Sequence, residues 1–143
     1  MGFRKTVVLD TNVMISAMRS NKGASHAILR ALHAKEFDCL LSVPLVLEYE
    51  SVAKRPGMLP HLSERDIEAI LDMICSRSME QKIFFQWRPF LKDPNDDMLV
   101  ELAIAGRAST IVTSNIGDFE DARKALGLEI LTPKEFLIQL RTK

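Results

Sequence analysis

The chain has 143 residues, 47% hydrophobic and 27% charged, and its 19 basic side chains are balanced by 19 acidic ones. That suits one compact domain with a sizeable core, taken as residues 1–143, and no apolar run is long enough to span a bilayer as a helix. Zero net charge excludes a nucleic-acid binder that works through its overall field and leaves room only for a local basic patch.

A short apolar run from Arg4 to Leu9 predicts a buried strand, and it ends on Asp10. In an open parallel sheet, ligands bind in the crevice at the carboxyl ends of the strands, so Asp10 is a candidate for chemistry. A loop through Ser20, Asn21, Lys22 and Gly23 precedes a helix over Ala24 to Lys35, where Ala27, Ile28, Ala31 and Leu32 recur at helical spacing. A strand at Cys39 to Val43 leads to a helix opened by Pro44, which Pro56-Gly57 stops after Arg55. Ser63 is placed as the N-cap of the next helix, with Asp66 three residues on. Lys82 to Trp87 is compatible with a strand. Asp93 is read as the cap of a helix from Pro94 to near Gly106. Thr110 to Thr113 then predicts a strand, Asp118 to Leu126 a short helix closed by Gly127, Glu129 to Leu131 a strand, and Pro133 to Arg141 a terminal helix. Strands alternating with helices argue for an α/β domain of three layers, a mostly parallel sheet with helices on both faces.

Three further acidic groups fall near strand ends. Glu48 borders the apolar stripe of Leu45, Tyr49 and Val52. Partial burial there requires a partner, which is a cation, a metal or a set of donors, or else the side chain reaches the rim and pairs with Lys54 or Arg55. In the helix after Asp93, Asp96 shares a face with Leu99, Val100 and Ala103, while Asp97 aligns with Glu101 on the more exposed side. First-turn acids also serve a helix start through the macrodipole, so that segment alone is equally a well-capped helix. Ser114, Asn115, Gly117 and Asp118 follow a strand and suit either a turn or a site. Carboxylates gathered together repel unless a cation neutralises them, and an all-oxygen set suits Mg2+ or Mn2+ rather than zinc. His26, His33 and His61 lack zinc-like spacing and are read as structural or surface residues; Cys39 and Cys75 are read as reduced core residues. Asp10 and Asn12 interrupt the first apolar stretch as no secretory leader would, which predicts a cytoplasmic protein.

The stretches Val7 to Val13, Ser42 to Tyr49, Asp93 to Ala103, Ile111 to Asn115 and Thr132 to Leu137, in that order, resemble the PIN-domain family of metal-dependent ribonucleases, which includes toxins of toxin–antitoxin pairs. The resemblance implies hydrolysis of RNA phosphodiester bonds with Mg2+ or Mn2+. It makes Asp10, Glu48 and Asp96 the catalytic and metal-binding acids, with Asn12 and Thr113 in support. Where many members carry a fourth Asp this chain has Asn115, so Asp118 either replaces it or a second metal site is weak. Arg19, Lys22, Lys54 and Arg55 are the candidate substrate-binding cations. A cognate antitoxin and a homo-oligomer are the partners implied. Two other readings start from the same residues. A haloacid-dehalogenase-like phosphatase would use Asp10 as nucleophile but wants an acid where Asn12 stands; a binding module would keep the fold with a degraded site at Asn115.

Overall fold

The computed structural model describes residues 5–83 and 94–142, the second stretch with side chains from residue 96 on. The start of the first strand at Arg4, the Asp93 cap and the Phe84 to Trp87 part of the expected strand lie outside the described residues.

Five parallel strands form one sheet in the order β3-β2-β1-β4-β5: β1 (Thr6–Leu9), β2 (Asp38–Leu41), β3 (Met79–Glu80), β4 (Thr110–Val112) and β5 (Glu129–Leu131). Val7, Val8, Ile111 and Val112 are fully buried, as expected of β-branched strands covered by helices on both faces. The chain winds outward from β1 to β3 and then returns to lay β4 against the other side of β1. That reversal opens a crevice between the carboxyl ends of β1 and β4.

Between β1 and β2 lie α1 (Thr11–Arg19) and α2 (Ala24–His33); α3 (Val43–Ala53) and α4 (Glu64–Ser76) follow β2; α5 (Pro94–Ala105), α6 (Glu120–Leu126) and α7 (Pro133–Arg141) complete the domain. Sequence reading assigned no helix to the α1 residues. Its buried side chains Val13, Met14, Ala17 and Met18 nevertheless follow helical spacing. Ser42 caps α3 by accepting from the Leu45 N–H at 3.2 Å, Ser63 and Asp66 form a reciprocal capping box on α4, and Gly127 ends α6 in the left-handed conformation. Phe37 meets Phe136 edge-on at 5.1 Å, joining α7 to the residues before β2.

Three expectations are corrected. The third strand is Met79–Glu80, paired with Leu40 and Leu41; Lys82 and Ile83 lie outside it, and the rest of the expected strand falls outside the described residues. Cys39 is buried, and burial pushes its thiol up to about 12, but Cys75 is exposed: it borders the Ile67, Leu71 and Ile74 stripe of α4 and lines an open groove with Leu41, Val43 and Val46. Asp97 is 7% exposed rather than solvated. Helix α5 packs on β1, β2, β4 and α3, so it is enclosed on more than one side and its wheel has no clear outer face.

Gly106, which follows α5, lies directly on Leu40. A Cβ at that position would stand 2.2 Å from Leu40 Cδ1, and Leu40 is itself buried. Gly106→Ala is therefore expected to lower stability by about 1–3 kcal/mol through overpacking. Denaturant unfolding measures it, and a wild-type midpoint would show that Leu40 moves aside freely.

Candidate active site

Register at the switch point places the first acid. Leu9 pairs with Val112, and the Asp10 N–H donates to Val112 O at 2.9 Å, which brings Asp10 beside Thr113 at the sheet edge. Asp10 also holds the N-cap position of α1, and its carbonyl accepts from the N–H groups of Val13 and Met14. Its carboxylate makes no capping bond. Oδ2 instead accepts from Thr113 Oγ1 at 2.7 Å and from Asn12 Nδ2 at 3.2 Å. The same two side chains tie down the loop after β4: Asn12 Oδ1 accepts from the Ser114 N–H at 3.2 Å and Thr113 Oγ1 from the Asn115 N–H at 3.0 Å.

Glu48 is placed by its neighbour. Tyr49 is fully buried and its hydroxyl donates to Leu9 O, which fixes the rotation of α3 against β1. Glu48 is thereby turned to the cleft, where its Oε2 accepts from Thr11 Oγ1 at 3.3 Å. Thr11 was not singled out from the sequence, although it stands between the two polar residues that were.

One cleft of about 350 Å3 gathers these groups. Asp10, Thr11, Asn12 and Glu48 line it with Asp96, Asn115 and Asp118, and its wall continues through Ile15, Val52, Met58 and Arg19. Asp10 is 8% exposed and Asp118 is open to solvent. Burial raises the Asp10 carboxyl above its ordinary range; the bonds from Thr113 and the nearby N–H groups of Thr11 and Asn12 oppose this, and the charge of Glu48 adds to it. On α5, Glu101 is raised by burial and then by Asp97, neither of which lines the cleft.

The expected cations do not gather in the same way. Arg19 lines the cleft, while Lys22 and Arg55 are exposed and do not. The Lys54 ammonium is held between Glu50 at 3.0 Å and Glu68 at 2.7 Å, so it pairs with neither Glu48 nor the cleft. His26 donates to Ala17 O and His61 to Met18 O, both fastening the end of α1, and His33 is on the surface.

Among the described residues, no group of three or more His, Cys, Asp and Glu side chains forms a ready-made metal site. The donor chemistry nonetheless fits a hard divalent cation: among the described residues the four acids that line the cleft offer oxygen only, and Asp10 has lost hydration with no described cation beside it.

An acid-lined crevice at the switch point of a parallel α/β sheet stands where domains of this class bind their ligands. Residues 6–117 match the family model described as PIN domain, and the chain belongs to that family, whose members are generally nucleases. Solved structures that share its fold include the following two. VapBC2 from Rickettsia felis, crystallised bound to a DNA fragment from its promoter, is 19% identical with a TM-score of 0.61, the match covering 89% of this chain and 98% of that one. FitAcB from Neisseria gonorrhoeae is 21% identical with a TM-score of 0.58, covering 90% and 98%. No curated protein sequence matches the chain significantly.

Proposed function

We propose that the protein is a divalent-metal-dependent endoribonuclease, acting in the cytoplasm as the toxin of a toxin–antitoxin pair. The carrying observation is that Asp10, Glu48 and Asp96, from three distant segments, line one cleft at the β1/β4 switch point. Asp118 lines it too and supplies the fourth carboxylate where Asn115 supplies only a neutral amide.

In this reading Asp10 and Asp96 hold Mg2+ or Mn2+, with Asp118 on the open side. The bound ion supplies positive charge that neutralises the acids, makes water more acidic and stabilises the charge developing on the phosphoryl and leaving 3′ oxygens. Glu48, steadied by the Thr11 hydroxyl, ligates the ion or orients the attacking water and takes its proton. Asn12 and Thr113 keep the Asp10 carboxylate aimed into the cleft. Asn12 donates to Asp10 through an amide, which is no proton donor for catalysis, and this disfavours the phosphatase reading.

The family resemblance supports RNA as substrate and an antitoxin as partner, and the likeness to VapBC2 and FitAcB in fold is in keeping with a partnered chain. Incubation of the purified protein with defined RNAs is expected to give cleavage with Mg2+ and none in chelator. Cleavage that persists in chelator would overturn the metal-dependent reading, and RNA retention with no cleavage in any divalent metal would leave a binding module.

A further inference from the structure

Beyond Glu48 the cleft runs on between two helices. Along α1, Thr11, Ile15 and Arg19 follow one another at four-residue spacing and therefore share a face. Along α3, Glu48 and Val52 do the same, and Met58 follows in the loop after the helix. All six line the cleft. The rows meet at both ends, Thr11 Oγ1 to Glu48 Oε2 at 3.3 Å and Arg19 Nη2 to Met58 Sδ at 3.0 Å. Eight residues of helix carry the groove about 12 Å from the acids, which is longer than the scissile group alone requires.

The chemistry changes along it. Ile15, Val52 and Met58 give an apolar wall, and Arg19 is the one cation among the described residues that line the cleft. Among the described residues no carboxylate pairs with Arg19; its guanidinium donates to a thioether, a weak acceptor that a phosphate oxygen displaces readily. A cation with no counter-ion among the described residues, next to an apolar wall, at the far end of a cleft whose other end holds acids, suits the alternation of base and phosphate in a nucleic acid strand.

Resting on the nuclease reading, we propose that the α1–α3 groove is a nucleotide subsite next to the scissile bond, in which Ile15, Val52 and Met58 seat a base and Arg19 holds its phosphate. Apolar side chains stack unpaired bases, and a guanidinium binds phosphate through paired N–H donors. The subsite takes single-stranded RNA, whose bases are free to turn into the wall.

The test is steady-state cleavage of a short single-stranded RNA by the full chain across a range of salt concentrations, comparing wild type, Arg19→Ala, Arg19→Lys, Met58→Ser and, as control, Arg30→Ala on the surface of α2. Arg19→Ala is expected to raise KM about tenfold, more than it lowers kcat, and to reduce the slope of log affinity against log salt by about 0.7, the share of one phosphate on a single strand. Arg19→Lys should restore the slope but only part of the KM, because a point charge replaces the fork. Met58→Ser should raise KM and keep the slope. Identical KM and slope in Arg19→Ala and Arg30→Ala would overturn the subsite. Should the wild type cleave nothing, the nuclease reading fails separately, and equilibrium binding of the same RNA decides the subsite: dependence of affinity and salt slope on Arg19 supports it, and indifference overturns it.

Discussion

Asp10→Asn is expected to reduce metal-dependent cleavage by at least about a hundredfold while leaving the protein folded and, without divalent ions, more stable than wild type. The loss follows from removing a charge that the cation requires. Preservation of the fold follows from the hydrogen bonds: Thr113 and Asn12 both donate to the same oxygen, Oδ2, so an amide oxygen in that place keeps both. The gain follows from burial. A carboxyl whose folded pKa is raised contributes stability that is complete below its unfolded pKa and is lost as pH rises through the folded value. Asp10 is such a group, so the melting temperatures of wild type and variant should differ least at acid pH. They should separate by a few degrees as pH rises past the ordinary carboxyl value of 3.8 and then the raised one. Thermal melts in chelator across that range, paired with cleavage assays in Mg2+, measure both halves. Full activity in the folded variant would remove Asp10 from the chemistry, and a variant less stable than wild type at neutral pH would show that its charge supports the fold.

Thr113→Val is expected to lower stability by about 2 kcal/mol and cleavage by roughly ten- to a hundredfold. The substitution keeps shape and removes one oxygen. That oxygen is fully buried, donates to Asp10 and accepts from the Asn115 N–H, so its loss releases the carboxylate and leaves an N–H without its acceptor at the mouth of the cleft. Thr113→Ser retains the hydroxyl and should recover most of the activity, which separates the hydrogen bond from the packing of the methyl group. Loss of activity in Thr113→Ser with none in Thr113→Val would mean that the methyl, not the hydroxyl, holds the site.

Element types were largely legible because they depend on local spacing and caps. The mostly parallel sheet, the starts of α2 and α4 and both ends of α7 follow from the alternation of strands and helices, apolar period, Ser63 as cap and Pro133 at a helix start. Helix α1 was hidden by its opening: Asp10, Thr11 and Asn12 look like the polar end of a strand, and Val13-Met14-Ile15 looks like more of the same strand. Its first turn is set by the pairing of β1 with β4, a contact across 103 residues that no window of sequence contains. The helical wheel turned Asp96 inward and the family resemblance made it a site residue, and it lines the cleft; the same wheel put Asp97 on the more exposed side, yet it is buried, because α5 packs against several elements. The cations were the least legible. Lys54 lies two residues beyond the cleft-lining Val52, but Glu50 and Glu68 claim it, and only the placement of α4 reveals the second of those partners.

Mn2+ titration by calorimetry into the wild-type chain, Asp96→Asn and Glu48→Gln tests the shared-cation account most directly. One saturable event in the wild type, weakened at least about tenfold in both variants, is the predicted result. Equal Mn2+ affinity in all three proteins would contradict it.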